Sequence, residues 1–248
     1  MDVLKTYILG RGNLGSDLAS LFRVKQIDFT SINSNELSLV DEKSVIWLCI
    51  PDSAISALID KLIPKGCFMV YASGALGMQD EWKSQVGVWY PLYSFRKGFD
   101  LDWNEVPVFT ESYSDRIKTY LESLNSKLGI NAKELDSSKR IRLHLAAVFV
   151  NNFTNALLNA AEESLSDFSR DEIIDALLPI AKQTITRWPA AKASELQTGP
   201  AVRGDNDTIM KHLGQLSNMP EESKLYEAIT QYIAQKIKQN DKKSNKSV

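Results

Sequence analysis

His144, Asn151, Asn152, Ser73 and Arg203 are the side chains of this 248-residue sequence best suited to act on a small polar molecule. Imidazole exchanges protons near neutral pH, so His144 is the candidate proton donor or acceptor. On a helix turning ~100° per residue, His144, Asn151 and Asn155 fall within about 20° of one line, with Asn152 and Asn159 some 60–80° to one side. A stripe of amide and imidazole, in place of the Lys and Glu of a plain solvent face, suits the lining of a cleft. The plainer alternative is a solvated stripe, or amides satisfying a buried helix contact. Arg203 can grip a carboxylate or phosphate, or pair instead with Asp205 or Asp207 and hold its own loop. His212, the second histidine, reads as an ordinary surface or packing residue. Neither histidine stands beside a cysteine or an acid cluster, so no metal site is expected.

Near the N-terminus a second set of residues points to a phosphate. Gly10, Gly12 and Gly15 form G-x-G-x-x-G after the apolar run Tyr7-Ile8-Leu9 and before a helix with Leu14, Leu18, Leu21 and Phe22 on one side. Strand, glycine turn and helix together give the motif its meaning. Gly10 allows the tight turn, Gly12 lets backbone approach a pyrophosphate, and Gly15 lets helix pack on strand. The helix N-terminus then offers free N–H groups to phosphate. Gly10 to Gly15, including Arg11, Asn13 and Leu14, is therefore the first part of a candidate dinucleotide site. At the end of the second strand an acid would bind the ribose hydroxyls of NAD. Ser31, Asn33, Ser34 and Asn35 stand there, with no acid and no arginine, which favours NADP weakly and leaves NAD as the alternative. Asn33 joins the candidate set, and Arg11 is the nearby cation.

The elements that must position these groups alternate. Apolar runs at 26–32, 44–50, 66–71 and 87–90 read as strands, and 106–109 as an edge strand because Pro107 is tolerated there. Helices are expected over 54–62, capped by Asp52 or Ser53, and over 114–128. Such alternation implies an α/β fold with a doubly wound, mostly parallel sheet, whose ligand lies outside the carboxyl ends of the strands. That gives most weight to the strand ends Ile50-Pro51-Asp52, Ser73-Gly74 and Tyr90-Pro91-Leu92, with Ile50-Pro51-Asp52 and Ser73-Gly74 placed beside the cofactor. For Asp52 the plain alternative is a helix cap. Beyond 136 only helices are expected: one long helix over 140–168, then 171–188, 207–216 and 222–238. The domains are 1–136 for the dinucleotide, 137–239 for an all-α substrate and dimerisation domain, and 240–248 as a disordered tail.

Bulk properties bound the rest. The chain is 44% hydrophobic, enough for a sizeable core, and its net charge of −2 argues against a general nucleic-acid binder. Cys49 and Cys67 form no metal spacing and read as buried reduced thiols. With no signal-like N-terminus and no apolar run approaching ~20 residues, a cytoplasmic protein with no membrane partner is expected.

These residues resemble a known family. Gly10-Arg11-Gly12-Asn13-Leu14-Gly15, 50–55, Ser73-Gly74-Ala75-Leu76, Tyr90-Pro91-Leu92-Tyr93-Ser94-Phe95, His144 to Ala147 with Asn151-Asn152, and Thr198 to Asp205 are similar to stretches of the Rossmann-like proteins with a C-terminal DUF2520 domain. That family lies within the 6-phosphogluconate dehydrogenase-like and pyrroline-5-carboxylate reductase-like group, often labelled NADP oxidoreductases. The resemblance implies a Rossmann domain holding a dinucleotide, a cleft closed by the helical domain, and a homodimer through those helices. The catalytic lysine of the related hydroxyacid dehydrogenases is replaced by Val148. The family's His-Thr before Ser-Gly is Tyr71-Ala72, and its arginine after the second strand is absent from 33–35. Hydride transfer to or from a small polar imine or ketone is the expected activity. A dinucleotide-binding sensor or interaction protein without turnover is the alternative.

Overall fold

Seven strands form one sheet in the order β2-β1-β3-β4-β5-β6-β7. The computed structural model that shows this describes residues 5–99 and 101–244. The strands are β1 (Thr6–Leu9), β2 (Thr30–Ile32), β3 (Val45–Leu48), β4 (Phe68–Tyr71), β5 (Val86–Pro91), β6 (Val108–Ser112) and β7 (Lys133–Glu134). The first five run parallel, and β6 turns against β5, with β7 parallel to β6. The expected α/β doubly wound architecture is thus present. Strand order reverses beside β1, and crossovers leave the carboxyl ends of β1, β3, β4 and β5 together.

Side chains alternate between the faces of these strands. Ile8, Val45, Trp47, Val70 and Trp89 meet α1 (Asn13–Val24) and, through Ile117, Leu121, Leu124 and Leu128, the third helix. Tyr7, Leu9, Ile46, Leu48 and Met69 meet Ile55, Ile59 and Leu62 of α2 (Asp52–Leu62) on the other face. Both faces being covered explains why the strands read as continuous apolar runs. The third helix is α3 (Asp115–Leu128), closed by Gly129 at φ +74°.

Three local expectations change. The second strand begins at Thr30, because the chain first leaves α1 through a Schellman-type turn: Gln26 takes φ +54° and the Ile27 N–H bonds the Phe22 carbonyl at 2.9 Å. The strand at 108–112 is not an edge, since β7 pairs with it and Pro107 lies just before it. The predicted cap of α2 is neither Asp52 nor Ser53: Pro51 is the N-cap, with no side-chain bond.

The helix that follows the sheet begins at Ser137, where the Asp136 carboxylate accepts the Lys139 N–H at 3.0 Å. It is α-helical as α4 (Ser137–Ala147) and then becomes a π-helix over Val148–Phe153. One compact unit ends at Phe153 and a second begins at Thr154.

The second unit is helical throughout: α5 (Thr154–Glu163), α6 (Arg170–Arg187), α7 (Ala193–Leu196), α8 (Pro200–Arg203), α9 (Asn206–Gln215) and α10 (Pro220–Ser244). Ser169 and Glu172 form a reciprocal capping box for α6. The final helix runs through 240–244 of the expected tail, and 245–248 lie outside the described residues. Leu157, Ala161, Pro200, Leu216, Tyr226 and Ile229 help line an apolar cavity of about 390 Å³ within this unit. No helix among the described residues is long and apolar enough to cross a membrane.

Candidate functional site

The three glycines of the first turn have separate structural reasons. Gly10 sits at φ +112°, and a Cβ there would overlap the Cys49 carbonyl. A Cβ on Gly15 would overlap the Gly10 carbonyl. Gly12 differs, because a Cβ there would meet nothing within 4 Å. It is also the N-cap of the 12-residue α1, with no side-chain cap and no acid in the first turn. The first N–H groups of α1 therefore face open space with no competing carboxylate, which is what a pyrophosphate requires. The residues present fit a dinucleotide. Asn13 fixes the neighbouring loop, its Nδ2 donating to the Phe95 carbonyl at 2.8 Å, while Ile50 packs against the core.

The end of β2 holds a surprise. Asn33 caps a 3-10 turn over Ser34–Leu39, accepting the Asn35 N–H at 2.9 Å. Glu36 folds back in a capping box, and its Oε2 accepts the Asn33 N–H at 2.8 Å. A carboxylate does stand at this strand end, contrary to the reading of residues 31–35 alone. Arg11 Nη2 lies 3.8 Å from the same oxygen.

The carboxyl ends of β4 and β5 meet α4. The Ser73 hydroxyl donates to Asp52 Oδ2 at 2.6 Å and accepts the N–H groups of Ala75 and Leu76 at 3.2 and 2.9 Å. Its hydrogen-bonding capacity goes into closing the turn. Asp52 thus acts on Ser73 across two strand ends. Next door, a Cβ on Gly74 would lie 2.6 Å from His144 Cγ and Nδ1 and 2.7 Å from the Tyr90 hydroxyl oxygen. The imidazole rests directly on the glycine. His144 Nδ1 and the Tyr90 hydroxyl share a 2.9 Å hydrogen bond. Burial pushes the Tyr90 phenol up to about 12, so its proton stays on at neutral pH. In the tautomer where Tyr90 donates to Nδ1, a neutral His144 carries its own proton on Nε2; in the other, Nδ1–H donates to the phenol oxygen.

A fully buried arginine anchors this arrangement. Arg140, 0% exposed, donates from Nη1 to the Ser73 carbonyl and from Nη2 to Glu111 Oε2 at 3.1 Å, Ser137 Oγ at 3.1 Å and the Tyr71 hydroxyl at 3.3 Å. Ser137 Oγ also bonds Glu111 at 2.8 Å and accepts the Met78 N–H at 2.8 Å. Arg140 Nε has no hydrogen-bond partner among the described residues. Burial drives the Tyr71 phenol up to about 12, which keeps it a neutral neighbour of this ion pair. Ser137, Arg140 and His144 share one helix face at i, i+3 and i+7.

Asn151 and Asn152 both lie exposed on the π-helix. Bonds of the i→i+5 type take roughly 4.4 residues per turn, so each residue turns the chain through less than the ~100° assumed from sequence. The stripe through His144 and Asn151 is displaced, and Asn152 moves toward the His144 line. Arg203 belongs to the second unit, where Gly199 at φ +109° and Gly204 at φ +67° bracket α8. Its Nη2 lies 4.0 Å from Asp205 Oδ2, and Asp205 caps α9 by accepting the Thr208 N–H at 3.1 Å. His212 shares a 2.8 Å bond with the Tyr226 hydroxyl.

Arg140, Glu111, Ser137 and Glu36 were not anticipated as site residues, and Tyr90 was expected only as part of a strand end. A helix started three residues earlier would have shown the 137, 140, 144 stripe. Glu36 is legible as the fourth residue of Asn33-x-x-Glu36, a capping box.

Residues 106–233 match the family model described as the domain of unknown function DUF2520. The chain belongs to that family. The matched stretch contains Glu111, Arg140 and His144 of the site. No curated protein matches the chain. Among solved structures, a Bacteroides fragilis protein described as a putative NADP oxidoreductase is 28% identical, with a TM-score of 0.78 over 94% of this chain and 98% of that one. A Thermotoga maritima protein is 17% identical, with a TM-score of 0.61 over 95% and 99% of the two chains. Pyrroline carboxylate reductase from Plasmodium falciparum, solved with NADP bound, is 13% identical, with a TM-score of 0.52 over 94% and 100%. The last two likenesses show a shared fold.

Proposed function

We propose that this DUF2520 protein is an oxidoreductase that uses NADP, with NAD as the alternative, and moves hydride to or from a small polar substrate of imine or ketone type. The observation that carries the reading is the open, uncapped start of α1 at Gly12, beside two glycines whose absent side chains are explained by packing. The likeness to the B. fragilis protein supports the same class. When bound, the nicotinamide supplies the redox chemistry.

The chain's own residues position and protonate. His144 holds a proton at Nε2, its ring oriented by Tyr90 at Nδ1 and by Gly74 beneath it. Ser73 and Asp52 hold the turn that presents Gly74. Asn151 and Asn152 orient the substrate, and Arg203 holds an anionic group. Val148 stands where a hydroxyacid dehydrogenase would carry its lysine, so proton transfer falls to His144. The helical segments also form a homodimer: Phe149 and Phe153, and Leu178, Ile180 and Ile185 of α6, are exposed large apolar residues of the kind an interface covers.

A screen of imines and ketones with NADPH tests the activity, and His144→Ala tests its mechanism. Turnover should fall by about 10² or more while NADPH affinity stays within about twofold. Unchanged turnover in that variant would refute the role of His144.

A further inference from the structure

Glu36 Oε2 sits between two partners, the Asn33 N–H at 2.8 Å and Arg11 Nη2 at 3.8 Å. Both partners belong to the candidate dinucleotide site, one at the end of β2 and one inside the glycine turn. Glu36 follows Gly15 by about the 20 residues at which this fold meets the adenosine ribose. The arginine side chain is 65% exposed, and an exposed pair at this distance is weak, so Arg11 is free to exchange partners. A 2′-phosphate brought to this strand end would attract the guanidinium and be repelled by the carboxylate. A ribose without that phosphate would meet the carboxylate as a hydrogen-bond acceptor.

We infer that Glu36 is a specificity-determining residue, which competes with a 2′-phosphate for Arg11 and holds the chain to a weak preference between NADPH and NADH. The inference rests on the dinucleotide reading above and deepens it. It also accounts for a strand end that carries no arginine of its own at 33–35, since the cation comes from the glycine turn.

Glu36→Gln isolates the charge. Glutamine can keep the capping box by accepting the Asn33 N–H, so the turn is retained while the repulsion is lost. Arg11→Met removes the cation and keeps the apolar stem. The dissociation constants of NADPH and NADH, measured by fluorescence on wild type and both variants, read the competition directly. Thermal unfolding of each variant checks that the fold is intact. In wild type the two constants should differ by about tenfold or less. Glu36→Gln should shift the ratio toward NADPH by about tenfold, and Arg11→Met should shift it toward NADH by a similar factor. Raising the salt concentration should narrow the Glu36→Gln preference. If wild type binds and either variant leaves the ratio unchanged, the inference is overturned while the dinucleotide reading stands. If wild type binds neither cofactor, the reading itself fails and the inference falls with it.

Discussion

In the first unit Phe22, Trp47 and Trp89 are sealed between the sheet and its helices, with Trp47 and Trp89 at 5.3 Å in edge-to-face contact. From Thr154 onward Ile173 is the one described residue that is buried, while Ile180 and Met210 remain 62% and 66% exposed. The same apolar alphabet therefore does two jobs. A twisted sheet offers two broad faces that helices can close within one unit. A set of separate helices leaves apolar stripes that need another surface. The first unit accordingly carries a costly buried ion pair, Arg140 with Glu111, and the second carries its polar groups on the outside. The candidate site is built where packing is tight enough to fix its geometry; the looser unit is suited to association.

Removing one partner of the buried pair should have the largest effect. Arg140→Met leaves Glu111 charged and buried, and should cost about 3–5 kcal/mol of stability, with a matching fall in melting temperature. Replacing Glu111 with Leu as well should recover most of that loss. A single variant that melts like wild type would mean the pair holds nothing in place.

A charge on the second unit should act differently. Ile180→Glu should weaken the proposed dimer by roughly 2–3 kcal/mol, seen by light scattering across a dilution series, and leave the melting of the first unit unchanged. If the chain is monomeric to begin with, the exposed stripes need another explanation.

High pH acts on the first unit alone. The Tyr71 and Tyr90 phenols are held near 12 by burial, against about 10 when unfolded. A raised phenol favours its neutral form in the fold, so this stabilisation is complete below pH 10 and is lost as pH rises from 10 toward 12. Each tyrosine should contribute roughly 2 kcal/mol over that window. Chemical denaturation at pH 8 and 11 reads the loss, and Tyr90→Phe should remove its share. The least effect is expected at His212, whose bond to Tyr226 lies on the exposed surface of the second unit. His212→Ala should change stability by less than about 1 kcal/mol.

What was legible in the sequence was local. The glycine turn and the apolar strands are each set by a few neighbouring residues. Pairings between distant residues were not legible. Glu111 on a strand and Arg140 near a helix start look like ordinary polar positions until the fold brings α4 against β6. The second strand was overestimated because Ile27 and Phe29 alternate correctly while the backbone is still leaving α1. The stripe through Asn151 assumed a constant turn per residue, which the π-helix changes. The Thr198 to Asp205 stretch looked specific for function, yet Gly199 and Gly204 are explained by their positive φ and Asp205 by its cap.

The open start of α1 at Gly12 is the proposed seat of the dinucleotide. Thermal unfolding of wild type and Gly12→Val, each with and without NADPH or NADH, tests it most directly. The free space around Gly12 lets the fold accept valine, whereas the side chain would fill the approach to the pyrophosphate. Cofactor at about 100 times its dissociation constant should stabilise wild type by about 2.7 kcal/mol and leave the variant unshifted. Equal shifts in both proteins, or none in wild type with either cofactor, would contradict it.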